Sequence, residues 1–239
     1  MNQYSESPNP SDLTRLFRPL RMAVIGAHDG KPLFDFMWRQ LETRVAASGG
    51  EIFPVNPKLD TVFGHRSYPT LMDIPGHLDV VVILISDVFA AMRQVEEKRP
   101  SFVVVHATGF SEGGSEDGKA AEQRLLAMAR NAGTRIVGPN TNVNMFEMLD
   151  ETLPSKFGIV AQSGHQGRPL ATAQKLGFGV SYWVTTGNEV DLGVADFVDF
   201  MAHDPSTHAI AGYVEGFHSG PTCDAPPKPA SRSGLPLFS

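Results

Sequence analysis

Three short stretches constrain this chain more than any other feature: Met22 to Gly30 (MAVIGAHDG), Gly138 to Asn140 (GPN) and Ile159 to Gly167 (IVAQSGHQG). In each, a strand-like apolar run empties into a polar, Gly-containing turn. The first and third turns then lead into a helical pattern. An open parallel sheet presents its ligand-binding edge in this way, at the carboxyl ends of its strands. A helix N-terminus there offers free N–H groups and a partial positive charge to a phosphate. The pattern points to a phosphate-bearing ligand.

Between these stretches the chain alternates strand and helix signals. Asp12 to Leu20 reads as a short helix across the domain edge, with Leu13, Leu16 and Phe17 facing in. Met22 to Ile25 is a strand. Pro32 to Ala47 is a helix whose buried stripe is Phe34, Met37, Trp38, Leu41 and Val45; Gly49 and Gly50 end it. Glu51 to Val55 is a strand ending in Asn56-Pro57-Lys58, and Asp73 to Gly76 is a turn. Asp79 to Ile85 is a continuous apolar run, as expected of a strand buried on both faces. Helices over Val88 to Lys98 and Ala120 to Ala132, and strands over Phe102 to His106 and Thr134 to Val137, complete the first pattern. This alternation predicts an α/β fold with a doubly wound parallel sheet.

A second α/β pattern follows a connector over Asn140 to Ser155. Its strands are Phe157 to Ala161, Val180 to Val184 and Ala209 to Val214; its helices are Gln166 to Leu176 and Leu192 to Ala202. Such a domain is small, and its last strand would leave an unpaired edge. The expectation is a domain that is incomplete or completed by a partner; self-association at that edge, a homo-oligomer, is a second arrangement the pattern allows. The Pro- and Ser-rich sequence after Gly220 has no period. The expected organisation is a disordered N-terminus over 1–11, a first domain over 12–147, a partial second domain over 155–217 and a disordered tail over 218–239.

Composition narrows the partners. The net charge of −6 argues against a nucleic-acid surface. The longest apolar runs are too short to span a bilayer. The polar N-terminus has no signal-peptide apolar region, so the chain is expected in the cytoplasm. The single cysteine, Cys223, excludes an intramolecular disulfide and a Cys-based metal cage, and no metal site is expected.

The first turn, Gly26-Ala27-His28-Asp29-Gly30, lacks the G-x-G-x-x-G fingerprint of an NAD site. An NAD site also wants an acid at the end of the second strand, for the ribose hydroxyl. That position carries Asn56-Pro57-Lys58 here, and a cation there suits an extra ribose phosphate. NADP or coenzyme A (CoA) therefore fits better, although Asp60 keeps NAD open.

At this point the stretches LFRPLRMAVIGAHD, FPVNPK, ATGFSE, RIVGPN, GIVAQSGHQG, TTGNEVD and YVEG become specific as an ordered set across residues 16 to 216. Together they resemble the NDP-forming acyl-CoA synthetase family, which includes the succinyl-CoA synthetase alpha subunit and ADP-forming acetate–CoA ligases. The SGHQGRP turn is similar to that of members acting on larger, hydroxycinnamate-type acids. The resemblance implies a Rossmann-like CoA-binding domain followed by a truncated flavodoxin-like domain. It implies that Gly26, Ala27, His28 and Asp29 meet CoA phosphates and that Lys58 pairs with a phosphate of the adenosine end. Ile85 and Ser86 would line the adenine or pantetheine path. Thr108, Gly109 and Asn140 would face the pantetheine arm near the thiol. Ser163 and Gly164 would cradle the phosphate of a phosphohistidine, and Glu215 would orient that histidine.

The sequence also departs from the family. The family's nucleophilic histidine lies beyond the Glu215 region, where this chain runs into its Pro-rich tail, which looks like a truncation. No stretch supplies an ATP-grasp domain. ATP and Mg are therefore expected only through a partner domain or subunit supplied in trans, and the chain is expected to be inactive alone. Phe34, Asp35 and Phe36 occupy the region of the family's second and third glycines, which would weaken CoA binding. Other histidines are weaker candidates: His165 reads as a polar turn residue, His218 as part of the tail, and His106 as a satisfied core-edge residue. Glu189 and Asp191 read as a carboxylate pair or, more simply, Asp191 as a helix N-cap. Arg168 reads as a contact to an acyl carboxylate or phosphate, or as a solvated cation. The alternatives are a non-catalytic CoA-binding protein and an NADP-dependent oxidoreductase, the latter without a Tyr-Lys or His-acid pair for hydride chemistry.

Overall fold

The computed structural model describes residues 12–30, 32–142, 149–150, 152–154, 156–164, 167–216 and 237–238. His165, Gln166, His218, Cys223, residues 1–11 and most of the tail lie outside the described residues.

The first unit begins with helix α1 (Thr14–Phe17) and strand β1 (Arg21–Ile25). Helix α2 (Pro32–Ala47) leads to β2 (Glu51–Val55) and a hairpin of β3 (Thr61–Val62) and β4 (His65–Arg66). Then come β5 (Val80–Ile83), α3 (Val88–Lys98), β6 (Phe102–Val105), α4 (Glu116–Ala132) and β7 (Arg135–Val137). The five long strands form one parallel sheet in the order β2-β1-β5-β6-β7. The chain reverses its winding between β1 and β5, which opens a crevice beside their carboxyl ends. β5 and β6 are buried along their whole length, as continuous Val/Ile runs require in a sheet covered on both faces.

Local chemistry sets the helix limits. Ser115 caps α4 by accepting the Gly118 N–H at 3.0 Å, and α4 starts at Glu116, four residues before the expected Ala120. Asp87 caps α3 in the same way through Ala90 N–H at 3.0 Å. α2 and α3 keep the limits read from the sequence.

The second unit contains β8 (Phe157–Ala161), α5 (Arg168–Ala171), β9 (Val180–Thr185), α6 (Val194–His203), β10 (Ala209–Tyr213) and β11 (Leu237–Phe238). They form a parallel sheet in the order β11-β10-β8-β9. The tail thus returns two residues to the sheet. Leu237 pairs with Ile210 and Phe238 with Ala211, covering part of the β10 edge that the sequence reading left open.

The helix expected over Gln166–Leu176 is one α turn followed by a 3₁₀ segment over Thr172–Leu176. Pro169 has no N–H, and the Thr172 hydroxyl donates back to the Pro169 carbonyl at 2.6 Å, which tightens the turn.

The two units share apolar packing. α1 packs towards the second unit: Phe17 packs on Tyr182, Phe197 and Phe200, with ring centroids 4.8, 6.0 and 5.4 Å away. The loop before α6 then zips onto the end of β7. Asn188, Val190 and Leu192 donate their N–H groups to Pro139, Gly138 and Ile136 carbonyls at 3.0, 3.2 and 3.1 Å. Leu192 also forms an isolated parallel bridge with Val137 at the β7 edge.

Candidate functional site

Parallel pairing lines up the strand ends of the first sheet. The exit turns are tied to their neighbours by backbone bonds: Gly26 N–H to Val55 O (3.0 Å), Leu84 N–H to Ile25 O (3.0 Å) and His106 N–H to Ile83 O (3.2 Å) on adjacent strands, and Asn140 N–H to Ala107 O (3.0 Å) on the adjacent turn. The turns therefore form a continuous row, from Lys58 through Gly26–Asp29, Ile85–Ser86 and Thr108–Gly109 to Asn140. Asn56 ties the first two together by donating Nδ2 to Ala27 O at 2.9 Å. Gly26 has φ +87°, and a Cβ there would lie 2.4 Å from Ile85 Cγ2. This turn needs glycine for its own backbone and for its neighbour across the switch point.

The second sheet presents its edge in the same manner. Gln162 N–H bonds Tyr213 O at 3.0 Å and Thr186 N–H bonds Ala161 O at 2.8 Å. The two edges face each other across a cleft of about 990 Å³. Of the residues singled out from the sequence, Thr108, Asn140, Ser163, Gly164 and Glu215 all line this cleft. Arg168 lines it too, with Glu112 and Gln162. Gly26, Asp29, Lys58, Ile85 and Ser86 lie along the same sheet edge but outside the cleft; Lys58 and Ser86 are exposed. His28 packs against Phe34 with the rings tilted by 34° and centroids 4.4 Å apart, and its Nδ1 lies 3.1 Å from Asp29 O.

The cleft walls are held by carboxamide and carboxylate contacts. Gln162 donates Nε2 to Gly216 O at 2.7 Å and accepts from the N–H groups of Glu215 (2.7 Å) and Gly216 (3.1 Å). It so fixes Glu215 beside the Ser163–Gly164 turn. Glu112 accepts from the Gly109 and Phe110 N–H groups and from Asn188 Nδ2. Burial pushes the Glu112 carboxyl up, but bonds from Asn188, Gly109 and Phe110 outweigh it and leave the pKa below the ordinary carboxylate range. His106 also lines the cleft, half-buried, with Nδ1 2.5 Å from Thr141 O. Burial lowers its pKa against the pull of that carbonyl.

Two expectations need correction. Asp191 is not an N-cap: α6 begins three residues later, where Asp196 accepts the Gly193 N–H at 3.0 Å. Asp191 instead accepts from Arg135 Nε (2.8 Å) and the Ile136 N–H (2.9 Å), joining the two units. The long helix expected behind Ser163 and Gly164 is the short α5, so few aligned peptide dipoles stand behind that turn. His106 and Gln162 were not given site roles from the sequence. A carboxamide just before a Ser-Gly turn was the available signal for Gln162, and its partners lie 53 and 54 positions away.

Among the described residues, no group of three or more His, Cys, Asp or Glu is placed to hold a metal ion. No described helix is long and apolar enough to cross a membrane.

Comparison with known proteins agrees with this geometry. A family model described as a CoA binding domain matches residues 21–146, more than half of the chain. A second, described as a succinyl-CoA ligase like flavodoxin domain, matches residues 154–223. The chain is 35% identical to a trans-feruloyl-CoA synthase from an unknown prokaryotic organism, over 94% of this chain and 34% of that protein. It is 32% identical to the alpha subunit of ADP-forming acetate–CoA ligase II from Pyrococcus furiosus, over 87% of this chain and 47% of that subunit. Among solved structures, a Ca. Korarchaeum cryptofilum dinucleotide-forming acetyl-coenzyme A synthetase 1, in complex with phosphate and ADP, superposes with a TM-score of 0.77 at 32% identity. That match covers 88% of this chain and 47% of that one. The chain thus spans about a third to a half of the length of these relatives. From the family model over its first unit, and the second model over its other one, the chain belongs to the NDP-forming acyl-CoA synthetase family as a CoA-binding domain followed by a succinyl-CoA-ligase-like flavodoxin domain.

Proposed function

We propose that this chain is the CoA-binding portion of an acid–thiol ligase that converts a carboxylate, CoA and ATP into an acyl-CoA through an acyl phosphate. The observation that carries the reading is the single cleft into which both sheet edges bring Thr108, Asn140, Ser163, Gly164 and Glu215. CoA lies along the first edge. Lys58 pairs with a phosphate of the adenosine end, and the Gly26–Asp29 turn meets the diphosphate. Ile85 and Ser86 flank the path to the pantetheine arm, which enters the cleft past Thr108, Gly109 and Asn140. Ser163 and Gly164 receive the phosphate of a phosphohistidine, and Glu215 fixes the imidazole of that histidine by holding one ring N–H.

The ATP-grasp domain, with ATP and Mg, and the phosphorylated histidine come from a partner in this reading, which acts in the cytoplasm. The full reaction is therefore expected only when such a partner is added. ADP release with a panel of acetate, 4-hydroxybutyrate and ferulate then identifies the acid; relatives named for each of these substrates motivate the panel.

Isothermal titration calorimetry of the purified chain tests the CoA site directly. Micromolar CoA binding, about −8 kcal/mol, is expected. It should weaken with dephospho-CoA, and in Lys58→Ala, because each removes one side of the same ion pair. A folded sample that ignores CoA overturns the proposal, and one that takes NADP instead supports an oxidoreductase.

A further inference from the structure

We propose that Asn188 is a positioning residue for the thiol half of CoA: from the second unit it sets the turn after β6 that the pantetheine arm passes. The inference rests on the CoA reading above and adds that the second unit supplies part of the affinity for CoA. Asn188 lines the cleft with Thr108 and Asn140. Its Nδ2 donates to Glu112 at 2.8 Å and to Glu122, on α4, at 2.7 Å. Both acceptors are carboxylate oxygens, so the amide nitrogen faces them and each of its two hydrogens serves one.

Those two carboxylates carry the turn. Glu112 accepts the Gly109 and Phe110 N–H groups. Glu122 accepts the Ser111 N–H at 3.3 Å and the Ser111 hydroxyl at 2.7 Å. The three residues that follow Thr108 are thus bonded to two acids, and Asn188 holds both acids. Taking that donor away leaves two like-charged groups beside each other with nothing between them.

The backbone of Asn188 rests on the neighbouring turn. Its N–H donates to Pro139 O at 3.0 Å. Gly187 before it (φ +67°) and Glu189 after it (φ +55°) both lie in the left-handed region. The Glu189 carboxylate accepts the Thr186 hydroxyl at 2.6 Å and the Val194 N–H at 3.3 Å. A left-handed non-glycine residue persists only where its surroundings enforce it, as these bonds do. Asn188 therefore stands on the turn that carries Asn140 and reaches the turn that carries Thr108. In the CoA reading the pantetheine arm passes both turns. A turn already held in its bound arrangement costs less to order when the ligand arrives.

Calorimetry on the whole chain tests this with two ligands: CoA, and adenosine bisphosphate, which is the adenosine end of CoA without its pantetheine arm. Wild type should bind CoA more tightly than adenosine bisphosphate. Asn188→Ala should weaken CoA about tenfold, the scale of a lost hydrogen bond to a charged group, and change adenosine bisphosphate by less than about twofold. Glu112→Ala should show the same selective loss. The double variant should fall well short of the roughly hundredfold loss that two independent effects would give, because Asn188 acts through Glu112. A merely structural role would weaken both ligands together or neither. Hydrogen exchange on wild type reads the same coupling without a substitution. CoA should slow exchange at residues 109–112 and 187–190 together, and adenosine bisphosphate at neither, because a ligand that favours the held turn also favours its holder. Unchanged CoA affinity in Asn188→Ala, an equal loss of both ligands, or additive losses in the double variant overturn the proposal. So does protection by CoA at one segment alone or at neither, even where no variant folds. A wild type that binds both ligands equally overturns it as well. A wild type that binds neither brings down the CoA reading itself, and the inference with it.

Discussion

Glu112 shares its carboxylate among the Gly109 N–H, the Phe110 N–H at 3.0 Å and Asn188 Nδ2 at 2.8 Å, so one side chain shapes the turn after β6 and grips the second unit. Because its folded pKa is depressed, the unfolded chain binds more protons at this site than the folded one does. Its contribution is complete above the unfolded value of about 4.3 and disappears as pH falls through the depressed folded value. Melting temperatures from pH 6 down to 3 should therefore fall more steeply for wild type than for Glu112→Gln; parallel curves refute this. Gly187 gives a second residue-scale prediction. It has φ +67°, and a Cβ there would lie 2.1 Å from Pro139 O and 2.7 Å from Asn140 O, both of them backbone. Gly187→Ala should cost at least about 2 kcal/mol, read from urea midpoints, since neither strain nor clash can relax into a flexible side chain. The sequence displayed both residues but not their roles. Glu112 meets Asn188 from 76 positions away, and Asp191 meets Arg135 from 56 away. Residue spacing carries no trace of either encounter.

At the scale of elements, what a segment decides for itself was legible. α2 and α3 keep the limits read from the sequence, Gly49 and Gly50 closing α2, and β2 and β8 span the residues their apolar runs suggested. The β3–β4 hairpin was not legible, because strands of two residues are too short to show alternation. α5 was misread in length because helix periodicity in the sequence takes no account of the Thr172 hydroxyl bonding back to Pro169. α1 is the instructive case. Its inward residues Leu13, Leu16 and Phe17 were read correctly, and all are buried, but the rings that Phe17 meets come from the second unit. A four-residue helix has almost no stability of its own, so packing must hold it. Phe17→Ala should cost about 3–5 kcal/mol in denaturant unfolding, the range for a buried phenylalanine. A loss below about 1 kcal/mol would mean that α1 frays from the body without consequence.

For the whole molecule, the question is whether two α/β patterns in one sequence make two independent folding units. A single apolar cluster contains Phe17, Val24, Trp38 and Val137 of the first unit with Tyr182, Val184, Leu192 and Phe197 of the second. The Asn188–Leu192 segment adds its backbone bonds to the β7 end, and Arg135 binds Asp191 at 2.8 Å. Arg135 is 36% exposed, so solvent screens that ion pair and the apolar contact and backbone pairing dominate the coupling. The expected outcome is one cooperative thermal transition, with the calorimetric enthalpy equal to the van't Hoff enthalpy. CoA should raise that transition as one unit. At a hundred times its dissociation constant the stabilisation is about 2.7 kcal/mol. Since the cleft has walls from both sheets, a ligand bound to one wall then protects the other. If scanning calorimetry resolves two transitions and CoA moves only the first, the shared core is too weak to couple the units, and the cleft is assembled by ligand or partner instead of being built into the fold.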